Sequence, residues 1–300
     1  MERGAVVRIF IAGGTGFVGG HLVKALCEHG HAVRLLVHKR SPHVSSDIDQ
    51  VEGDVTRPES FENAAEGCDA VINLVGIIRE FPARAITFER LHVQATAGML
   101  AATDKAGIRR YLQMSALGTR PAAVSRYHVT KFQAEELVRS SGLDYTILRP
   151  SLIYGPNDAF INMLAGQLRL APIMPVIGSG TYRLQPIHVS DVARCFTMAL
   201  EMPETVGQCY ELCGNDRLTY LELLDAIASA MGRSAPFKPR APLGLMKFVI
   251  PIMQHLPQFP ITTDQLQMLI EENICDGCWK KVFCFEPRDF REGIREYLGR

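Results

Sequence analysis

The stretch "IFIAGGTGFVGG", residues 9–20, decides the fold. Its first residues form a short β-branched and aromatic run of the length expected for a buried strand. The run stops at two glycines. A helical pattern, "FVGGHLVKALCEHG", then begins at Phe17 and ends at Gly30. Gly14, Gly16 and Gly19 fit G-x-G-x-x-G, and Gly13, Gly16 and Gly19 fit G-x-x-G-x-x-G. A glycine turn between a strand and a helix lets the backbone turn tightly and approach a diphosphate at the helix N-terminus.

The same alternation continues outward. "AVRLLVH" reads as a second strand and "VEGD" as the end of a third. "PESFENAAEG" reads as a short helix with Pro58 near its first position. "AVINLVG" is a fourth strand, and "ARAITFERLHVQATAGMLAATDKAG" a long helix ended by Gly107. "RRYLQMSA" is a fifth strand, followed by a helix over 127–141 that Gly142 closes. "DYTILRPSLIYG" is a sixth strand. Strands alternating with helices imply right-handed crossovers, hence an α/β, doubly wound parallel sheet of the Rossmann type.

From about Tyr154 the rhythm changes. Prolines become frequent, and "SDVARCFTMALEM" reads as a helix with Ser190 as N-cap and Asp191 at its positive end. The expected division is a nucleotide-binding domain over 1–154 and a smaller C-terminal α/β part over 155–300. The C-terminal part supplies the substrate contacts, and segments around 181–204 return to the first domain.

Bulk properties narrow the function. Formal net charge is zero over 300 residues, which argues against a nucleic-acid partner. The N-terminal "MERGAVVRIFIAGG" has no secretory pattern. "APLGLMKFVIPIMQHLP" is cut by Lys247 and Pro251, short of the roughly 20 apolar residues of a spanning helix. It reads as core, as the mouth of a substrate pocket, or as a surface that meets a membrane or a quinone. Eight cysteines in a chain of this size do not look like a secreted disulfide framework, so a cytoplasmic location is expected. Cys275, Cys278 and Cys284 lie close together, but no fourth ligand completes a zinc site. They read as separate or buried thiols, and no metal is expected.

The second strand bears on cofactor choice. It ends in His38, Lys39 and Arg40, without the acid that usually bonds the ribose hydroxyls of NAD. This favours NADP, with NAD as the second option. Tyr127 and Lys131 in "SRYHVTK" are four apart and share a helix face. A lysine ammonium beside a phenol is expected to lower the phenol pKa and make an acid/base of it.

Taken together, "GGTGFVG", "EGDV", "INLVG", Tyr-x-x-x-Lys, "LRPSLIYGP" and "IHVSDVA" resemble the short-chain dehydrogenase/reductase superfamily, of the extended or atypical type. The likeness runs in order across most of the chain. The tail "FPITTDQLQMLIEEN" is similar to the branch with the 39 kDa accessory subunit of respiratory complex I. The resemblance implies that Gly13, Thr15, Gly16, Phe17, Val18 and Gly19 cradle the diphosphate. It implies that Asp54 and Val55 meet the adenine, and that Leu74, Val75 and Gly76 line the cofactor. Pro150 to Ile153 would pass beside the nicotinamide, and Lys131 would reach its ribose. Tyr127 would be the catalytic acid/base and Ser115 the residue that orients the substrate. The loop from Ser115 to Tyr127 is short for the family, and Leu117, Thr119 and Ser125 compete for the serine's place. The expected activity is hydride transfer on a small carbonyl or alcohol substrate, such as a quinone or another apolar carbonyl. A non-catalytic NADPH-binding subunit or assembly factor is one alternative, and a nucleotide-sugar epimerase or dehydratase another.

Overall fold

The structure, a computed structural model, describes residues 6–42, 44–254, 256, 259 and 261–299. The first five residues of the N-terminal reading, and parts of the two proline-rich stretches near 255–260, lie outside the described residues. In chain order the elements run β1 (Arg8–Ala12), α1 (Phe17–Glu28), β2 (Ala32–Val37), β3 (Asp49–Glu52), β4 (Ala70–Asn73), α2 (Ala95–Lys105), β5 (Arg110–Met114), α3 (Arg126–Arg139) and β6 (Asp144–Pro150). There follow β7 (Ile153–Tyr154), α4 (Phe160–Leu170), β8 (Val176–Ile177), β9 (Arg183–Leu184), β10 (Ile187–His188), α5 (Val189–Glu201) and β11 (Gln208–Leu212). The chain closes with β12 (Leu218–Thr219), α6 (Tyr220–Ala230), β13 (Arg240–Ala241), α7 (Leu243–Met253), α8 (Thr263–Ile270), α9 (Trp279–Phe283) and α10 (Phe290–Leu298).

These divide into two compact units, one of Met1–Arg149 with Val192–Glu211, the other of Pro150–Asp191 with Leu212–Arg300. The first holds a seven-stranded sheet in the order β11-β6-β5-β4-β1-β2-β3. Its central pairs are parallel, with Ile11 opposite Leu35 on one side and Ile72 on the other. The sheet is doubly wound, as the alternation implies, and the strand order reverses between β1 and β4, where such sheets bind ligands. Burial on both faces is why β1 and β4 read as unbroken apolar runs. Phe10, Val71, Met99, Tyr111 and Ile147 form the core on one side.

Several local expectations are corrected. "QCYELCG", which reads as a strand of the C-terminal part, contains β11, which lies beside β6 as the seventh strand of the main sheet. Of "PESFENAAEG" only Pro58–Ser60 is helical, as a single 3-10 turn. The long helix before Gly107 is broken: a π-helical segment, Glu89–Gln94, precedes α2. Ser190 is not an N-cap, because α5 begins one residue earlier. His188 Nδ1 accepts the Ser190 N–H at 3.2 Å and so takes the place of a capping oxygen.

The second unit contains three two-stranded ribbons, β10-β7, β12-β9 and β13-β8, and the helices α4, α6, α7, α8, α9 and α10. Its core includes Tyr154, Leu164, Leu223, Ile227, Phe290 and Ile294. The capping box of Thr219 and Glu222 starts α6, and that of Thr262 and Gln265 starts α8. Cys213 and Cys275 are joined by a disulfide, and Trp279 Nε1 donates to Cys213 O at 3.1 Å. The expectation of separate thiols is therefore corrected for Cys275. It is buried, and its partner lies 62 residues away, where no local Cys-x-x-Cys spacing points. Cys278 and Cys284 are exposed free thiols.

Candidate functional site

The glycine turn joins β1 to α1. Gly16 N donates to Gly13 O at 3.1 Å and closes the turn just before the helix. A Cβ on Gly19 would lie 2.2 Å from Gly13 O and 2.6 Å from Gly14 C. Only glycine lets the helix start this close to the strand end. No acidic side chain stands in the first turn of α1, and no side chain caps its N-terminus. The free N–H groups and the positive end of the helix dipole suit an anion, so the turn fits a dinucleotide diphosphate. Thr15 and Gly16 are exposed at its mouth, Phe17 is half-buried, and Val18 and Gly19 are packed beneath.

At the next strand ends, His38, Lys39 and Arg40 are all exposed just past β2. An acid also stands here, which reading β2 alone missed. Glu52 ends β3 opposite Val37, and its carboxylate accepts the Arg40 N–H at 3.4 Å. The Asp54 carboxylate takes both the N–H and the hydroxyl of Thr56 at 2.8 Å. Burial opposes its ionisation, but these bonds, with His38 and Arg57 nearby, hold its pKa below the usual value. Val55 is half-buried beside it.

The ends of β4 and β5 hold the lysine. Lys131 is 2% exposed, and its Nζ donates to Val75 O and Met114 O, each at 3.2 Å. Burial lowers its pKa to about 8, against the pull of Glu135. A Cβ on Gly76 would come within 2.8 Å of that Nζ, so glycine here makes room for the ammonium. Leu74 is buried, and Val75 N donates to the Asn73 side chain at 3.0 Å. Sequence reasoning missed His92, which is buried at the same edge. Its Nδ1 is 2.9 Å from Thr130 Oγ1 and its Nε2 is 3.2 Å from the Ile77 backbone. Burial first and the Lys131 ammonium second hold His92 neutral, with a pKa near 2.

Tyr127 packs edge-on against Phe88, His92 and His128. It is 8% exposed, and its hydroxyl has no hydrogen-bond partner among the described residues. The expected drop in its pKa is corrected. Burial raises it to about 12, and the Lys131 ammonium, bonded to two backbone carbonyls, does not offset this. Ser115 is buried on the same strand edge, but its hydroxyl bonds Thr119 Oγ1 at 3.3 Å and also the Glu135 carboxylate. Leu117 is buried, and Ser125 is used as the N-cap of α3, bonded to His128.

Glu135, one turn beyond Lys131, was not singled out from the sequence. It is fully buried, gripped by Arg149 at 2.8 and 2.6 Å and by Arg139 at 2.8 Å. Arg149 is thereby engaged in a structural ion pair. Arg183, in the second unit, pairs with Glu272 at 2.7 and 2.8 Å. His188 is a buried core histidine against Tyr154. Pro150 ends β6, and Ile153 pairs with Ile187 in the β10-β7 ribbon. The four-residue spacing of Lys131, Glu135 and Arg139 was the one sequence signal for the cluster. His92 lies in no motif.

Residues 9–213 match the NAD dependent epimerase/dehydratase family. The chain is 32% identical, over 90% of its length and 69% of the relative's, to subunit 9 of the mitochondrial NADH dehydrogenase (ubiquinone) 1 alpha subcomplex of Arabidopsis thaliana. It is also 32% identical to the ceramide reductase of Caulobacter vibrioides, over 79% of this chain and 73% of that one. Among solved structures, a dTDP-glucose 4,6-dehydratase from Bacillus anthracis in complex with NAD superposes with a TM-score of 0.75. The match covers 98% of this chain and 96% of that one at 18% identity, a likeness of fold. Among the described residues, no helix is long and apolar enough to cross a membrane.

Proposed function

The chain belongs to the NAD-dependent epimerase/dehydratase family, and from that premise we propose that it is an NADP(H)-dependent oxidoreductase acting on an apolar carbonyl or alcohol. The observation that carries this reading is the Tyr127 hydroxyl. It is buried, has no hydrogen-bond partner among the described residues, and burial pushes its pKa up to about 12. Such a phenol keeps its proton at neutral pH and can donate a hydrogen bond to a substrate oxygen, although a pKa this far above neutrality makes it a weak acid. A reduced nicotinamide, when bound, supplies the hydride. Tyr127 gives its proton to the substrate oxygen and recovers one from solvent. Lys131 has three N–H donors, and two hold Val75 O and Met114 O. The third is available to a ribose hydroxyl. Gly13 to Gly19 hold the diphosphate, Asp54 and Val55 border the adenine, and Leu74 to Gly76 line the way between them. Pro150 and Ile153 are assigned to the nicotinamide end.

His38, Lys39 and Arg40 support NADP over NAD, with Glu52 as the opposing group. The substrate is a small molecule of apolar character, a quinone or a long-chain carbonyl. The name of the Caulobacter relative supports the second. We assign the protein to the cytoplasm, where NADP(H) is at hand; the Arabidopsis relative is named as mitochondrial.

A second reading has its own support. The Ser115 hydroxyl is committed to Glu135 and Thr119, so the substrate oxygen lacks the usual serine donor. This favours a non-catalytic NADPH-binding subunit of the complex I type. One experiment separates the two. NADPH and NADH are titrated by fluorescence, and NADPH absorbance is then followed with ketones, aldehydes and quinones. The enzyme reading expects tighter NADPH binding and a substrate-dependent loss that Tyr127→Phe cuts by roughly 10²–10⁴. Binding with no oxidation of any substrate, and an unchanged Tyr127→Phe, would leave the structural role.

A further inference from the structure

Among the described residues, the second unit exposes its large apolar side chains in two segments. Eight of the thirteen exposed large hydrophobics among the described residues are in this unit, all within 163–173 and 237–256. Leu170 is 89% exposed, Phe248 78% and Ile252 75%. The two segments are joined by backbone pairing. Ile173 bridges Phe237, Met174 N donates to Phe237 O, and β8 pairs in parallel with β13, which leads directly into α7. On α7, Leu245, Phe248 and Ile252 fall at i, i+3 and i+7 and form one outward stripe. The opposite side of the helix, at Ile250, turns inward and borders a small cleft with Leu266 and Ile270 of α8.

Charge along these segments has one sign. Residues 159–190 and 226–263 contain no aspartate or glutamate. Arg169, Arg240 and Lys247 are exposed there and have no acidic partner among the described residues. Neither segment carries an acid of its own, and Asp225, which pairs with Lys238 beside Phe237, is balanced by that lysine. A protein partner or a second copy could cover such a stripe, but neither requires a surface without acids. An anionic bilayer does, because its surface potential attracts arginine and lysine while its interface takes up aromatic and aliphatic side chains. We propose that the α7 stripe, with the adjoining β8-β13 ribbon, is a docking surface for an anionic phospholipid membrane. The chain lies on the bilayer with Phe248 and Ile252 in the interface and Arg169 and Arg240 meeting lipid phosphates, while Lys247, which borders the cleft beside Ile250, adds to the positive charge of the helix.

The test is co-sedimentation of the full chain with vesicles of phosphatidylcholine alone and of phosphatidylcholine containing phosphatidylglycerol. Binding to the anionic vesicles should be at least about tenfold tighter and should weaken as salt rises. Phe248→Glu with Ile252→Glu should bring it to background, while far-UV circular dichroism and the urea midpoint stay as in the parent. Should that double variant fold poorly, Arg169→Glu with Arg240→Glu, both exposed, must still abolish the preference for anionic vesicles. Failure to bind either vesicle overturns the proposal. So does a concentration-dependent dimer, without vesicle binding, that Phe248→Glu dissolves, since a second copy would then own the surface.

Discussion

Lys131 sits with its ammonium against two carbonyl oxygens and almost no water, and burial is the larger force on it. A lysine whose folded pKa falls to about 8 from 10.5 costs the fold stability wherever it is charged in both states. Below pH 8 that cost is full. Between pH 8 and 10.5 the unfolded chain binds more protons, so stability rises with pH. Lys131→Met removes this slope. Urea unfolding at a series of pH values should show the parent gaining on the variant by about 2–3 kcal/mol across that window. Parallel curves would mean that Lys131 titrates as an exposed lysine. Subtracting the two proteins cancels the titrating groups that do not interact with Lys131; His92 and Glu135, which do, ordinarily titrate outside this pH window. That Tyr127 and Lys131 both fall on the buried face of α3 was legible from their four-residue spacing. The electrostatics of the two were not, since the carbonyls that bond the ammonium come from the ends of β4 and β5. Glu135 and His92 stayed hidden for the same reason: each owes its state to partners distant in sequence.

The elements that read correctly were those whose pattern is local. β1 and β4 are buried on both faces and show as largely apolar runs, and the glycines that end helices are visible as such. The π-helical turn at Glu89–Gln94 and the single 3-10 turn at Pro58–Ser60 were missed because helical periodicity does not distinguish them from α-helix. The start of α5 was misplaced because a histidine side chain, rather than a serine, receives its first N–H. The β1–α1 turn is the strictest element. A methyl at Gly19 would overlap Gly13 O and Gly14 C, whereas one at Gly20 meets nothing within 4 Å. Overpacking of this kind costs about 1–3 kcal/mol. If the strain falls on the turn, Gly19→Ala should weaken NADPH binding by roughly ten- to a hundredfold. Gly20→Ala, one step along the same helix, should bind as the parent does and gain about 0.5–1 kcal/mol in stability. Equal binding by both variants in a fluorescence titration would show that the turn does not hold the diphosphate.

For the molecule as a whole, the doubly wound parallel sheet of the first unit followed from the alternation of strands and helices, because parallel strands need crossovers and crossovers have one hand. The second unit offered no such rule. Its ribbons are two residues long, and what joins its segments is a long-range covalent link that spacing cannot reveal. Cys213 follows β11 and Cys275 precedes α9, and the bond closes a 62-residue loop containing β12, α6, β13, α7 and α8. Closing a loop of that length removes conformations from the unfolded chain, and bonds of this kind are worth about 2–4 kcal/mol. Cys213→Ala with Cys275→Ala should lower the unfolding free energy by that amount, and the variant should not respond to dithiothreitol. The parent should lose the same amount when the reductant is added. Such bonds are uncommon in a reducing cytoplasm, so the comparison also bears on where the chain works. A parent as stable with dithiothreitol as without it would mean that the two sulfurs stand as thiols, and that the second unit is held by its apolar core around Leu223 and Ile227 alone.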